Sequence, residues 1–270
     1  VKCKHNISQR RACRVVGISD SVYRYQPDLH RDDEVIDALK KAVERYPAYG
    51  FSKLFKTLKR WGYKWNHKRV HRIYRSLNLN MRRRKKKRLP TRNPMPLCVP
   101  EKVNICWSMD FMSDSLQCGR RFRTFNLLDD FNREILAVEI DLSLPTVRVL
   151  RVLEQVVAWR GYPQKIRMDN GPEFISLKLA EWAEENQVEL EFIKPGKPTQ
   201  NSYIERFNRT YRDAILNMYM FKTLREVREL TKSWINEYNS ERPHDSLGDL
   251  TPWEYLAKSQ QGEDSNFECH

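Results

Sequence analysis

The 270-residue sequence contains no apolar stretch approaching the ~20 residues that a membrane span needs, and no signal peptide opens it. Both absences predict a protein that stays in the cytoplasm. Cysteine is sparse: Cys3, Cys13, Cys98, Cys106, Cys118 and Cys269 are scattered without a C-x-x-C pair, the usage of free thiols in a reducing compartment. A zinc site fails for the same reason. His67 and His71 have three residues between them and Cys98 follows after 26 intervening residues, but Cys106 lies seven intervening residues beyond that in an expected strand, where a zinc knuckle wants about two. The two histidines are therefore read as part of a DNA-facing or solvated helix surface. Acidic residues are also in short supply, 35 against 49 Lys and Arg, and the resulting net charge of +14 favours a polyanionic partner.

The hydrophobic fraction of 40% supports a folded core, and the length suggests one main domain of about 150 residues with smaller modules attached. Residues 1–30 read as a partial helix-turn-helix: a helix from Gln9 to Val16, a turn at Gly17, and a second start at Asp20, with Ala12, Val15, Val16 and Ile18 inward. Residues 31–80 read as a helical DNA-binding domain. There Leu54, Leu58 and Trp61 recur at helical spacing, and Asn66 caps a helix that turns Val70, Ile73 and Leu77 inward. Lys68, Arg69, Arg72 and Arg75 occupy its other faces, an arrangement that suits a recognition helix in a major groove and equally an amphipathic helix with a solvated basic face.

Residues 81–100 are a linker, since Pro90, Pro94, Pro96 and Pro100 forbid a continuous helix. It opens with the cationic run Arg82, Arg83, Arg84, Lys85, Lys86, Lys87 and Arg88, at once a solvated segment and a phosphate-binding strap. A main α/β domain over 101–220 follows, with strands near 104–112, 121–128 and 133–141, a helix 144–160 burying Val147, Leu150, Leu153, Val157 and Trp159, a strand 165–169, a helix 176–186, a strand 188–193 and a further helix. A C-terminal helical extension spans 221–258, and the polar tail 259–270 is expected to be disordered.

Three carboxylates stand out. Asp110 closes the apolar run that begins at Ile105, Asp169 ends a second one just before a turn at Asn170-Gly171-Pro172, and Glu205 follows after 35 intervening residues on a strongly periodic helix. Two strand-borne aspartates and a helix-borne glutamate form a hard-oxygen set suited to Mg²⁺ or Mn²⁺. A pair of such ions activates a hydroxyl or water and stabilises the leaving oxygen of a phosphodiester.

The segments Trp107-Ser108-Met109-Asp110-Phe111, Asp129 to Arg133, Met168 to Phe174, Asn201 to Asn208, Tyr238 to His244, Ser246-Leu247-Gly248 and Thr251 to Tyr255 carry a resemblance. In them the chain, from about residue 30 to 257, resembles the catalytic protein of bacterial insertion sequences of the IS-three type, in the DDE transposase and retroviral integrase superfamily. The resemblance implies a ribonuclease H-like core with a five-stranded mixed sheet, preceded by small all-α helix-turn-helix modules. It implies a transposase that binds terminal inverted repeats in double-stranded DNA, cleaves one strand and directs the 3′-hydroxyl at another phosphodiester, with Asp110, Asp169 and Glu205 holding two Mg²⁺ or Mn²⁺ ions. It also implies a homo-oligomer on DNA, nucleoid-associated when bound, and a small helix-turn-helix partner or fusion encoded upstream, which agrees with the start at Val1.

On the Glu205 helix, Ile204, Phe207, Tyr211, Ile215 and Met218 recur every three or four positions and must pack on the sheet. Arg209 and Arg212 fall on the same side as Glu205 and can grip phosphates, or Glu205 and Arg209 form a surface ion pair. His244 is either polar decoration at a helix terminus or, as the resemblance implies, a contact to the scissile DNA end. Two rival functions remain: a recombinase using Tyr203 or Tyr211 as nucleophile, and a non-catalytic DNA-binding regulator derived from a transposase.

Overall fold

The computed structural model describes residues 7–26, 28, 30–81, 99–171, 174–193 and 201–267, with side chains as far as residue 261. Arg82 to Arg88, most of the linker, Pro172 and Glu173 lie outside the described residues. The chain divides into two units, Val1–Met81 and Arg82–His270.

The first unit is all helical. Helix α1 (Gln9–Val16) is capped by the Ser8 hydroxyl, which accepts from the Arg11 amide, and ends at Gly17 with φ 74°, a left-handed conformation that glycine adopts without strain. Helix α2 (Asp20–Arg24) starts on a Ser19 cap. The expected inner face does not form: Cys13 is buried, whereas Val15, Val16 and Ile18 are exposed. Helices of eight and five residues have too little shared surface to cover a full stripe. Helices α3 (Asp33–Arg45), α4 (Phe51–Arg60) and α5 (His67–Ser76) enclose a separate core of Val35, Leu39, Leu54, Leu58, Val70, Ile73 and Tyr74. Asn66 caps α5 by accepting from the Lys68 amide at 2.8 Å, and the spacing of Val70, Ile73 and Tyr74 turns one side of that helix inward.

The second unit is built on a five-stranded mixed sheet in the order β3-β2-β1-β4-β5. Strands β1 (Cys106–Ser115), β2 (Arg121–Asp129) and β3 (Ile135–Asp141) form an antiparallel meander, while β4 (Lys165–Met168) and β5 (Glu189–Phe192) run parallel to β1. Alternation along β1 sends Trp107 and Met109 to one face and Met112 to the other. The first face is covered by α6 (Thr146–Arg160) and α7 (Leu177–Glu185), the second by α8 (Ser202–Tyr211), a π-helical turn (Arg212–Leu216) and α9 (Leu224–Ser240).

Helix α6 packs through Val149, Val152, Leu153 and Val156, while Val147 and Trp159 are more than half exposed. The stripe is therefore offset from the expected one: Val147 lies on the opposite side of the helix and Trp159 at the margin of its last turn. Residues 221–258 share the core of the sheet's second face through Phe221, Val227, Trp234 and Tyr238. The last helix, α10 (Pro252–Phe267), continues through Ser259 where a disordered tail was expected, since no proline interrupts the segment.

Asp129 and Asp130, fully buried at the β2–β3 turn, are committed to structure. Asp129 accepts from the amides of Asn104 and Phe131 and pairs with Arg160, and Asp130 accepts from Ser108 at 2.6 Å and Arg167 at 2.9 Å. Trp253 of α10 donates to Glu134 at 2.9 Å and Asn239 of α9 brackets the backbone of Ile135 with two hydrogen bonds, which fastens the C-terminal helices to that turn.

Candidate active site

Asp110 sits in the middle of β1, on the face covered by α8, because the two-residue period that sends Met109 and Phe111 to the α6 side sends Asp110 and Met112 to the other. Asp169 immediately follows β4. The last paired residues of the parallel ladder are Ser108 and Arg167, so each aspartate stands two residues beyond it at matching level, where neighbouring β-strands have begun to part. Glu205 lies in the first turn of α8, exposed, next to the buried Ile204. An acidic side chain there also complements the positive end of the helix dipole.

The Asp110 carboxyl senses the charges of the other two. Burial raises the Asp110 carboxyl to about 6, and the negative charges of Asp169 and Glu205 push in the same direction. Donors work against this: the Phe111 amide at 2.8 Å and the Asn208 side chain at 2.6 Å. Glu205 is raised too, by desolvation, with Arg209 opposing. Among the described residues no three metal-type side chains converge closely enough to enclose an ion as they stand. The donor set nevertheless fits a hard cation, since an unneutralised group of carboxylates with a half-buried member is stabilised by positive charge.

Asn208 escaped the sequence reading as a functional residue. It occupies the position one helical turn after Glu205, and its amide bridges Asp110 and Asn126, accepting from the latter at 2.7 Å. The i,i+3 spacing from a suspected ligand was the available signal.

The predicted phosphate contacts divide. Arg209 is exposed and makes no ion pair among the described residues, whereas Arg212 donates to Asp114 at 3.0 Å and to the Ser113 carbonyl at 2.9 Å. The change from α to π geometry at Arg212 ends the regular stripe, and Met218 is left exposed. In the helical unit Arg69 and Arg72 both bind the Asp32 carboxylate, at 2.8 and 2.7 Å, and Arg69 also meets the Arg31 carbonyl. They are tied to the start of α3, where Arg72 remains exposed, and Asp32 is held below the usual carboxylate range by the Arg69 hydrogen bond against some desolvation. Lys68 and Arg75 are exposed without an ion pair among the described residues, and His67 and His71 pack against Phe51. His244 packs edge-on against Tyr238, which itself packs on Phe207 of α8.

Residues 100–198 and 186–252 match the Integrase core domain, and residues 30–87 match the HTH-like domain. Over 266 residues the chain is 40% identical to an insertion element IS407 protein of Burkholderia multivorans, uncharacterized and of 31.7 kDa, covering 98% of this chain and 96% of that one. The chain belongs to the integrase-core family of insertion-element transposases. The transposase is also 25% identical to the transposase for insertion sequence element IS629 of Shigella sonnei, over 90% of this chain and 89% of that one. Its fold is like that of the simian T-cell lymphotropic virus intasome solved by cryoEM in complex with PP2A regulatory subunit B56 gamma, at 15% identity and a TM-score of 0.50, over 81% of this chain and 74% of that one. The core of the transposase is accordingly ribonuclease H-like, with an HTH-like helical region before it.

The surroundings of Tyr211 do not suit a nucleophile. The Tyr211 hydroxyl is buried on Thr231 at 2.7 Å with its phenol pushed up to about 12 by burial, and the Tyr203 ring lies beneath the Arg133 guanidinium at 3.5 Å. Among the described residues no helix is long and apolar enough to cross a membrane.

Proposed function

We propose that Asp110, Asp169 and Glu205 are the catalytic carboxylates of this transposase and hold two Mg²⁺ or Mn²⁺ ions. The observation that carries the reading is the Asp110 carboxyl: half-buried and raised to about 6 by burial, with Asp169 and Glu205 both contributing, it is the centre of an anionic group that a bound metal cation would stabilise at neutral pH. Bound divalent ions supply Lewis-acid activation of the attacking hydroxyl and stabilise the leaving oxygen. The protein's own residues fix the ligands. The β1 backbone and Asn208 orient Asp110, the turn after β4 orients Asp169, and α8 presents Glu205 beside Arg209, whose charge is placed to meet a phosphate.

The reaction is hydrolysis of one strand at an inverted-repeat end, followed by attack of the freed 3′-hydroxyl on a second phosphodiester. Double-stranded DNA is held by the helical unit through Lys68 and Arg75, with the basic run of the linker adding phosphate contacts. A homo-oligomer assembles on the two ends, an upstream-encoded helix-turn-helix partner or fusion contributes further contacts, and the protein works in the cytoplasm on the nucleoid.

Cleavage and strand-transfer assays on the element's own ends test this. Replacing Asp110 or Asp169 by Asn, or Glu205 by Gln, should lower the rate roughly a thousandfold or more while leaving DNA binding intact. An Asp169→Asn protein that cleaves near the parent rate in Mg²⁺ would refute the assignment. A parent protein that binds ends but never cleaves them would favour the non-catalytic regulator.

A further inference from the structure

The ladder between β1 and β4 stops two residues short of Asp110 and Asp169, so main-chain pairing does not set the separation of these carboxylates. A different chain of contacts spans the gap. The Asp169 carboxylate accepts from the Gly171 amide at 3.0 Å, and the Gly171 carbonyl accepts from the Phe174 amide at 3.0 Å. The Phe174 ring, 1% exposed, stacks on Phe111 with centroids 4.8 Å apart and planes 23° from parallel. The Phe111 amide donates to Asp110 at 2.8 Å. Phe111 is held in turn by Phe125 at 5.5 Å and by the Arg123 guanidinium at 4.5 Å. From one carboxylate to the other, every link is a hydrogen bond, a stretch of backbone or a ring contact.

We propose that Phe174 is a positioning residue that sets the placement of Asp169 relative to Asp110 by stacking on Phe111. An aromatic pair fixes both distance and tilt, which an aliphatic residue of similar volume does not. Asn170 braces the same turn from its other side by donating to the Ile193 carbonyl at 3.0 Å. Phe174 thus fixes how far the turn reaches into the core, and Asn170 fixes its lateral position. The inference rests on Asp110 and Asp169 being metal ligands, and it extends that reading to a residue buried in the core behind them.

The test uses the full chain with Phe174→Leu and Phe174→Met, both of which fill the core position without a ring. Mn²⁺ binding is followed by electron paramagnetic resonance of the free ion, alongside DNA binding and the Mg²⁺ dependence of end cleavage. With the positioning role, both variants keep DNA affinity, bind Mn²⁺ roughly ten- to a hundredfold more weakly, and recover most of the cleavage rate at saturating metal. If either folded variant binds Mn²⁺ as the parent does, the positioning role is overturned. The Asp169→Asn control separates the two ideas: parent-like Mn²⁺ binding by that protein overturns the metal-site reading itself, whereas a defective Asp169→Asn beside a parent-like Phe174→Leu overturns only the role of the ring.

Discussion

Asn208 donates to Asp110 at 2.6 Å, a contact between a helix and a strand 98 residues apart in sequence. Since Asn208 also accepts from Asn126 of β2, its amide has a single orientation, nitrogen toward the carboxylate. It therefore selects the Asp110 rotamer and stabilises its charged form. Asn208→Ala should lower single-turnover cleavage about ten- to a hundredfold with unchanged DNA affinity, as outer-shell substitutions at metal sites do. Asn208→Asp should be worse, because it adds a further negative charge to the group. Cleavage by Asn208→Ala at the parent rate would show that Asp110 is placed by the strand alone.

The raised Asp110 carboxyl gives a pH signature whose sign can be worked out. In the unfolded chain this group titrates near 3.8, and in the metal-free fold at about 6. Between about pH 4 and 6 the folded state binds more protons than the unfolded one, so this group's contribution to stability falls as pH rises through that window. Divalent metal should reverse the trend, since it binds the ionised form, and metal affinity should weaken as pH drops below about 6. Thermal unfolding from pH 4 to 8, with and without Mg²⁺, is the measurement. Asp110→Asn should flatten the metal-free profile in that window and abolish most of the Mg²⁺ stabilisation; an unchanged profile would place the raised group elsewhere.

How much of this site the sequence could disclose follows from the range of each interaction. Asp110, Asp169 and Glu205 were legible because each sits at a local boundary: the close of an apolar run, the end of another before Asn-Gly-Pro, and the edge of a periodic stripe. Asn208 and Phe174 were quoted within matching segments, yet their roles depend on partners 98 and 63 positions away, Asp110 and Phe111, which no local pattern specifies. The strands and helices of the core were readable from periodicity, whereas the sheet order came only with the resemblance to a fold and the phase of α6 with neither. Val147 and Trp159 are as apolar as Val149 and Val152, and only the position of the sheet decides which are covered. The ion pairs of the arginines were not legible for a related reason: a basic helix face in sequence does not reveal that Asp32 or Asp114 lies opposite.

The Asp114 pairing makes Arg209 and Arg212 experimentally separable. Arg209 has no ion pair among the described residues, so Arg209→Ala should reduce the slope of log affinity against log salt by about 0.9, the loss of one phosphate contact. Arg212 is engaged with Asp114, with side chains 38% and 24% exposed, so Arg212→Ala should leave the salt slope unchanged and lower stability by about 1 kcal/mol or less. Binding titrations from 50 to 200 mM salt, paired with denaturant unfolding, distinguish them. A reduced slope for Arg212→Ala would mean that DNA draws this side chain off Asp114.

The helical unit offers the matching contrast on α5. Arg69 is only 28% exposed and shares Asp32 with Arg72, so Arg69→Ala removes a bond that joins α5 to the start of α3. Its loss should act on folding, reducing the melting temperature and weakening cognate and random DNA alike. Lys68 and Arg75 are exposed on α5 and carry no competing carboxylate among the described residues, so they can meet a duplex without breaking an existing contact. If one of them reads a base edge, its truncation should cost about 1 to 3 kcal/mol on the cognate end and little on random sequence, with melting unchanged. Competition binding with the full chain gives the answer. Equal losses on both duplexes for Lys68→Ala and Arg75→Ala would reduce this helix to backbone contact and move sequence recognition to α1 and α2, where Val15, Val16 and Ile18 are exposed and Arg10, Arg11 and Arg14 line the same short helix.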